Sequence, residues 1–332
     1  MFKKIIAKIK ANKLVIDTYC NLYSRIISLF IKRIDKKSFK ERHREMRELY
    51  LTNKEKYDFL SYVMPEWKEN MIEIEKYFLN DFSISFLRHP IISKTMFLYT
   101  FRGWKNVQKA LISSGLTKQK ARHILREYNI GRPLLSDLGY ATSSNSIHHL
   151  YHILKFFKET NTKVSDFDTV VEVGGGYGNL AKIFKSMNSK STYIIIDIPI
   201  FSYLQAVYLK TIFGTQAVNM VHGNDIQIKK GFINIVPLDT HTQKAVREAI
   251  IHADLFVSTW ALSESNENMQ NYITEVDYFK ASYLLLAYQK SAGSFAFAEN
   301  IKNTPDTYVS VYNKETEYIR DNYYLFSKRI QN

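Results

Sequence analysis

The sequence predicts an α/β protein in which a doubly wound sheet follows a helical N-terminal region, and three observations carry that prediction. From Val164 onward, short β-branched runs at 168–173, 192–197, 217–222, 254–259 and 282–288 alternate with helix-compatible stretches, the pattern of parallel strands joined by crossover helices. Four of the twelve glycines, Gly174, Gly175, Gly176 and Gly178, directly follow the first of these runs. Before residue 162 the apolar spacing is three and four instead of two, which reads as helix.

In chain order, residues 1–40 carry eleven Lys and Arg against two Asp, so +9 of the net charge of +14 lies there and only +5 in the other 292 residues. Ile5, Ile9, Ile16, Tyr19, Tyr23, Ile27, Phe30 and Ile34 fall on one face of that segment, a basic amphipathic helix. Two readings fit it: a solvated or dimerising helix, and peripheral attachment of residues 1–35 to an anionic membrane face. No run approaches the roughly 20 apolar residues of a membrane span, and no small-residue cleavage site follows an apolar core. The expected location is the cytoplasm, with the inner membrane face as the candidate contact.

Residues 41–162 form a second region. Helices are expected over 66–79, 104–113 and 117–128, broken at Arg88-His89-Pro90, Ser113-Ser114-Gly115 and Gly131-Arg132-Pro133, with Thr117 as an N-cap. Residues 163–332 form the sheet region, and the aromatic runs 316–320 and 323–328 are expected to add an antiparallel edge pair. The single cysteine, Cys20, excludes an internal disulfide framework and a multi-cysteine zinc site.

The chemistry concentrates around the glycines. A strand that ends in Glu172-Val173, then a G-x-G-x-G turn, then Asn179-Leu180-Ala181 is a strand, tight turn and helix in which backbone N–H groups can approach a ligand. The dinucleotide fingerprint G-x-G-x-x-G fails at Asn179, which argues for a ligand without a pyrophosphate. Asp197 ends the next strand, where a ribose-binding carboxylate falls in such a unit; its structural alternative is a helix cap before Pro199.

With E-V-G-G-G-Y-G at 172–178, the chain resembles class I methyltransferases that use S-adenosylmethionine. More narrowly it resembles a bacterial family of sugar O-methyltransferases, on Ile196-Asp197-Ile198-Pro199, the histidine-rich stretch Ser143–His152, and Ser258–Glu264. The resemblance spans roughly residues 85–330. It implies S-adenosylmethionine as cofactor, held by Glu172, Gly174, Gly176, Gly178, Asp197 and Asp225, and a sugar or glycan as acceptor, with no nucleic acid and no metal.

The acceptor hydroxyl needs a base. His148, His149 and His152 share a predicted helix, with His148 and His152 on one face, and histidine needs the least tuning for proton transfer. Glu264 follows the fourth expected strand at the ligand-binding edge. His149, Glu264 and His148 are therefore the catalytic candidates, against plain packing for the histidines and a helix-dipole role for Glu264. Trp260 is a candidate stacking wall and His241 a further acceptor-side candidate. Two other classes share part of this pattern: a nicotinamide-dependent oxidoreductase, and a methyltransferase acting on nucleic acid or another small molecule. A membrane adaptor is a third.

Overall fold

The computed structural model describes residues 31–96, 104–137, 139–221, 226–289, 306–317 and 319–330. The basic amphipathic helix expected in residues 1–40 lies mostly outside these. Its last residues are described: Ile31 is buried, and the backbone of Lys32 bridges to Glu127 and Asn129.

Six helices precede the main sheet among the described residues: α1 (Lys36–Asn53), α2 (Pro65–Asn80), α3 (Pro90–Thr95), α4 (Trp104–Ser113), α5 (Lys118–Leu125) and α6 (Ser144–Thr160). Thr117 caps α5 as expected, its hydroxyl accepting from Lys120 N at 3.2 Å. The helix stops at Leu125 rather than 128 because the chain turns extended at Arg126 and Glu127 N donates to Ala141 O. That turn sends the Glu127 side chain inward. A two-stranded ribbon of β1 (Leu135–Asp137) and β2 (Thr142–Ser143) leads into α6, whose N-cap Ser143 accepts from Ser146 N.

The main sheet contains β3 (Thr169–Val173), β4 (Thr192–Asp197), β5 (Val218–Met220), β6 (Ile233–Pro237), β7 (Leu255–Thr259), β8 (Tyr283–Gln289), β9 (Tyr308–Glu315) and β10 (Asn322–Arg329), in the order β5-β6-β4-β3-β7-β8-β10-β9. The first six of that order are parallel, and β10 and β9 add an antiparallel edge. Helices α7 (Asn179–Met187) and α8 (Pro199–Phe213) follow β3 and β4, and α9 (Gln243–Ala249) and α10 (Glu267–Glu275) flank β7.

Alternate strand residues enter two separate cores, so the sheet is doubly wound as the sequence predicts. Val170, Ile195, Ile235, Val257 and Leu285 pack with Phe39, Leu150, Leu180 and Leu204 of the helices on one face. Val171, Ile194, Val236, Phe256 and Leu284 pack with Val246, Met269 and Ile273 on the other. Because β4 is buried on both faces its sequence is a continuous run, Thr-Tyr-Ile-Ile-Ile-Asp, instead of an alternation. Burying each such isoleucine stabilises the fold by about 1.5–3 kcal/mol relative to exposure.

Two expectations shift. Strand β6 is absent from the sequence reading, since Ile-Asn-Ile-Val-Pro carries a buried polar residue and a proline. Asn234 is tolerated there because it donates to Lys229 O and accepts from Lys229 N, and Pro237 closes the ladder opposite Asp197. The first strand of the edge pair lies at 308–315 rather than 316–320. It is an edge strand exposed along most of its length, so it carries little alternation to read. Thr316 instead turns the hairpin, its hydroxyl donating to Ile319 O.

From β3 the chain crosses to β4 on one side, while β7 and β8 lie on the other. The carboxyl ends of β3 and β7 therefore diverge into a crevice, the position where open α/β sheets bind ligands.

Candidate active site

A cavity of about 610 Å³ occupies that crevice. Its floor is the glycine turn after β3. A Cβ added at Gly174, where φ is +79°, would sit 2.0 Å from Ala261 Cβ, so only glycine lets the β3 and β7 turns meet. At Gly176, φ is +56° and a Cβ would meet nothing within 4 Å. This glycine faces open cavity and leaves a cradle that a ligand can fill. Gly178 does not line the cavity. Its Cα faces Leu209 of α8, which an added Cβ would approach to 2.8 Å, so it serves helix packing.

Glu172 and Asp197 both reach the cavity wall. Tyr193 Oη donates to Glu172 Oε2 at 2.9 Å. Asp197 Oδ1 accepts from Ile198 N at 2.8 Å and Oδ2 from Gln205 Nε2 at 2.7 Å, while Gln205 also donates to Gly176 O at 3.0 Å. The N-cap of α8 is Ile198, not Asp197, and Gln205 of α8 links the acid to the glycine turn by donating both to Asp197 Oδ2 and to Gly176 O. Asp225 lies outside the described residues.

Burial pushes the Glu172 carboxyl up to about 8, and the neighbouring Asp197 charge adds to the effect. Burial likewise raises Asp197 to about 7, against the opposing pull of N–H groups from Ile198, Gln205, Gly176 and Gly175. Burial alone raises Glu264 to about 7. The folded protein therefore holds carboxyl protons that the unfolded chain releases near pH 4, so the contribution of these acids to stability falls as pH rises toward about 8, while His148, His149 and His152, which burial depresses, oppose that trend below about pH 6.5. The melting temperature of the protein without cofactor is expected to drop between about pH 6.5 and about pH 8, and less so in Glu172→Gln. A profile that climbs across this range would contradict the burial of these acids.

The opposite wall comes from α6 and the turn after β7. His148 and His149 line the cavity, and His152 lies beneath them, its ring 4.2 Å from that of His148. The Tyr324 hydroxyl bonds to His152 Nδ1. Trp260 follows β7 with φ +65°, an uncommon conformation for a residue with a side chain. It is held there by its N–H to Ala287 O and by Nε1 donating to Asn322 Oδ1 at 2.5 Å. Its ring packs 5.3 Å from His148 and 5.2 Å from His152. Asn179 is 3.0 Å from His149 Nδ1. Burial first, and then the Lys182 charge, depress His149 to about 3, so the imidazole is neutral near pH 7.

The structure thus gathers Glu172, Gly174, Gly176, Asp197, His148, His149, Trp260 and Glu264 around one cavity. His241 is not on its wall; its backbone N–H caps the Asp239 carboxylate in the turn after β6. Among the described residues there is no cluster of three or more His, Cys, Asp or Glu suited to a metal ion, and no helix long and apolar enough to cross a membrane.

Sequence reasoning missed the cover. Tyr62, Met64, Trp67 and Met71, with Met96 beyond α3, close the cavity from the N-terminal region. Their helical spacing matches that of core residues, so nothing local marks them as site residues. Asn145, which donates to Tyr177 Oη at 3.0 Å, was within reach, since it lies in the polar stretch that starts α6.

No family model matches the sequence, and no curated protein matches it. Among solved structures the chain is similar to the mitomycin 7-O-methyltransferase MmcR, at 14% identity over 69% of this chain and 68% of that one, TM-score 0.38. It is similar to PigF with SAH at 10% identity over 77% of each chain, TM-score 0.35. It is similar to an rRNA methylase from Escherichia coli at 12% identity over 68% of this chain and 76% of that one, TM-score 0.36. At these identities and TM-scores the fold stands on its own strand order and register.

Proposed function

We propose that this protein is an S-adenosylmethionine-dependent O-methyltransferase that methylates a sugar hydroxyl in glycan or glycoconjugate biosynthesis. The observation that carries this reading is that one cavity is lined by the glycine turn and Asp197 together with His148, His149 and Glu264. When bound, S-adenosylmethionine supplies an activated methyl group on a sulfonium. The protein then has to align an acceptor oxygen and receive its proton.

The open face of Gly176 fits the close approach of the cofactor's amino-acid end. Asp197 accepts from ribose hydroxyls with the lone pairs left over from Ile198 and Gln205. Tyr62, Met64 and Trp67 exclude water from the reacting centre. His149 receives the acceptor proton, and Glu264 holds a neighbouring hydroxyl of the sugar. His148, packed between His152 and Trp260, supports the wall. Asp197→Ala is expected to weaken cofactor binding by roughly 1.5–3 kcal/mol, the scale of hydrogen bonds to a charged group; calorimetry measures it, and unchanged affinity would return Asp197 to a structural role.

The functional test is methyl transfer from methyl-labelled S-adenosylmethionine to panels of free sugars, nucleotide sugars and glycans. Label is expected in a sugar ether; label only in RNA would contradict the reading. We also propose, on charge alone, that residues 1–35 contact an anionic membrane face. Co-sedimentation with vesicles containing anionic lipid, and not with neutral ones, is the expected result.

A further inference from the structure

A buried ion pair lies directly behind His149. Lys182 on α7 and Glu127 after α5 have side chains only 1% and 2% exposed, and Lys182 Nζ donates to Glu127 Oε2 at 2.7 Å. Burial pushes the Glu127 carboxyl up, but Lys182 and the hydroxyls of Ser143 and Ser146 outweigh it and hold the carboxyl below its ordinary value. Buried pairs of this kind are often no better for stability than well-packed apolar residues. This pair is also connected. Ser143 Oγ donates to Glu127 Oε1 at 2.6 Å, and the Ser146 hydroxyl bonds to the same oxygen. Lys182 Nζ donates to Ser146 Oγ at 3.1 Å. Ser146 Oγ is 3.1 Å from one side-chain amide atom of Asn179, placed as Oδ1, and the other, placed as Nδ2, is 3.0 Å from His149 Nδ1.

The protons in this chain can be counted. Ser146 has one hydroxyl proton, and the contact with Glu127 is both its shortest and the one that ends on a charged acceptor, so the proton lies there. Toward Asn179, Ser146 Oγ can then only accept, and only the amide NH₂ can donate to it. The two ends of a carboxamide exchange by rotation without changing its shape. Turning the NH₂ to Ser146 turns the carbonyl oxygen to His149 Nδ1, and an oxygen that accepts requires Nδ1 to carry the proton. The opposite orientation sets two lone pairs against each other at Ser146, or takes the proton away from the carboxylate. We infer that the Glu127–Lys182 pair, acting through Ser146 and Asn179, fixes His149 as its Nδ1–H tautomer and leaves Nε2 as the unprotonated nitrogen. Glu127, Lys182, Ser146 and Asn179 are then positioning residues. The use made of the lone pair rests on the methyltransferase reading, in which Nε2 would take the acceptor O–H proton while a bound S-adenosylmethionine would supply the methyl group, the O–C bond forming as the C–S bond breaks with its electron pair left on the sulfur of S-adenosylhomocysteine; the tautomer itself does not.

The test is long-range ¹H–¹⁵N correlation on the full chain labelled at histidine, with His149→Gln identifying the resonances. The expected spectrum has a protonated Nδ1 and an unprotonated Nε2 at His149; a protonated Nε2 overturns the inference. Ser146→Ala removes the relay while keeping the packed shape of α6, and Glu127 and Lys182 still pair with each other. It is expected to mix the two tautomers and lower kcat by about 10–100-fold, the usual effect of removing a group that orients a functional histidine, with the KM for cofactor unchanged. An unaltered tautomer in Ser146→Ala also overturns it. Absence of methyl transfer to any sugar by the wild type would instead sink the acceptor assignment while leaving the tautomer result readable.

Discussion

His149→Ala is expected to lower the single-turnover rate of methyl transfer by about 10²–10⁴-fold, the usual cost of losing a general base. Affinity for S-adenosylmethionine should stay nearly unchanged, because the ring of His149 is engaged by Asn179, His148 and His152 rather than by Asp197. Glu264→Gln should cost less, since the amide still bonds a hydroxyl. Rapid quench with saturating cofactor separates chemistry from binding. A wild-type rate in His149→Ala would move the base to Glu264 or His148.

Gly176→Val is expected to abolish cofactor binding and leave the protein folded. The new side chain enters space that holds no protein atom within 4 Å of its Cβ, so the cavity bears the volume. The positive φ adds about 1–2 kcal/mol of strain, which a domain of this size tolerates. Gly174→Ala is the contrasting control: its Cβ would collide with Ala261 at 2.0 Å, so its first effect is a lower melting temperature. Calorimetry with S-adenosylhomocysteine beside thermal melts distinguishes the two. Unchanged affinity in Gly176→Val would mean that the turn is not the cofactor site.

Most of the sheet and half of the site are legible in the sequence, for physical reasons that differ by element. Strands β3, β4, β7 and β8 are buried on both faces and read as apolar runs, and the glycine turn announces itself because backbone must approach backbone at Gly174. Asp197, Glu264 and the histidines fall at the ends of readable elements. Strand β6 hides behind Asn234, whose polar group is satisfied by Asn219 of β5 and by the backbone of Lys229, contacts that the sequence does not reveal. The cover formed by Tyr62, Met64, Trp67, Met71 and Met96 is a tertiary event, as is the meeting of Glu127 with Lys182, which are 55 residues apart. Single-residue patterns carry no information about such encounters.

We propose that this cavity binds S-adenosylmethionine through the glycine turn and Asp197. Isothermal titration of the full chain near pH 8, where Asp197, raised to about 7, is largely ionised, tests it most directly. One site per chain for S-adenosylmethionine, lost in Gly176→Val and weakened in Asp197→Ala, is the predicted result. Absence of that binding beside tight binding of NAD(H) would contradict it and make the protein a nicotinamide-dependent enzyme.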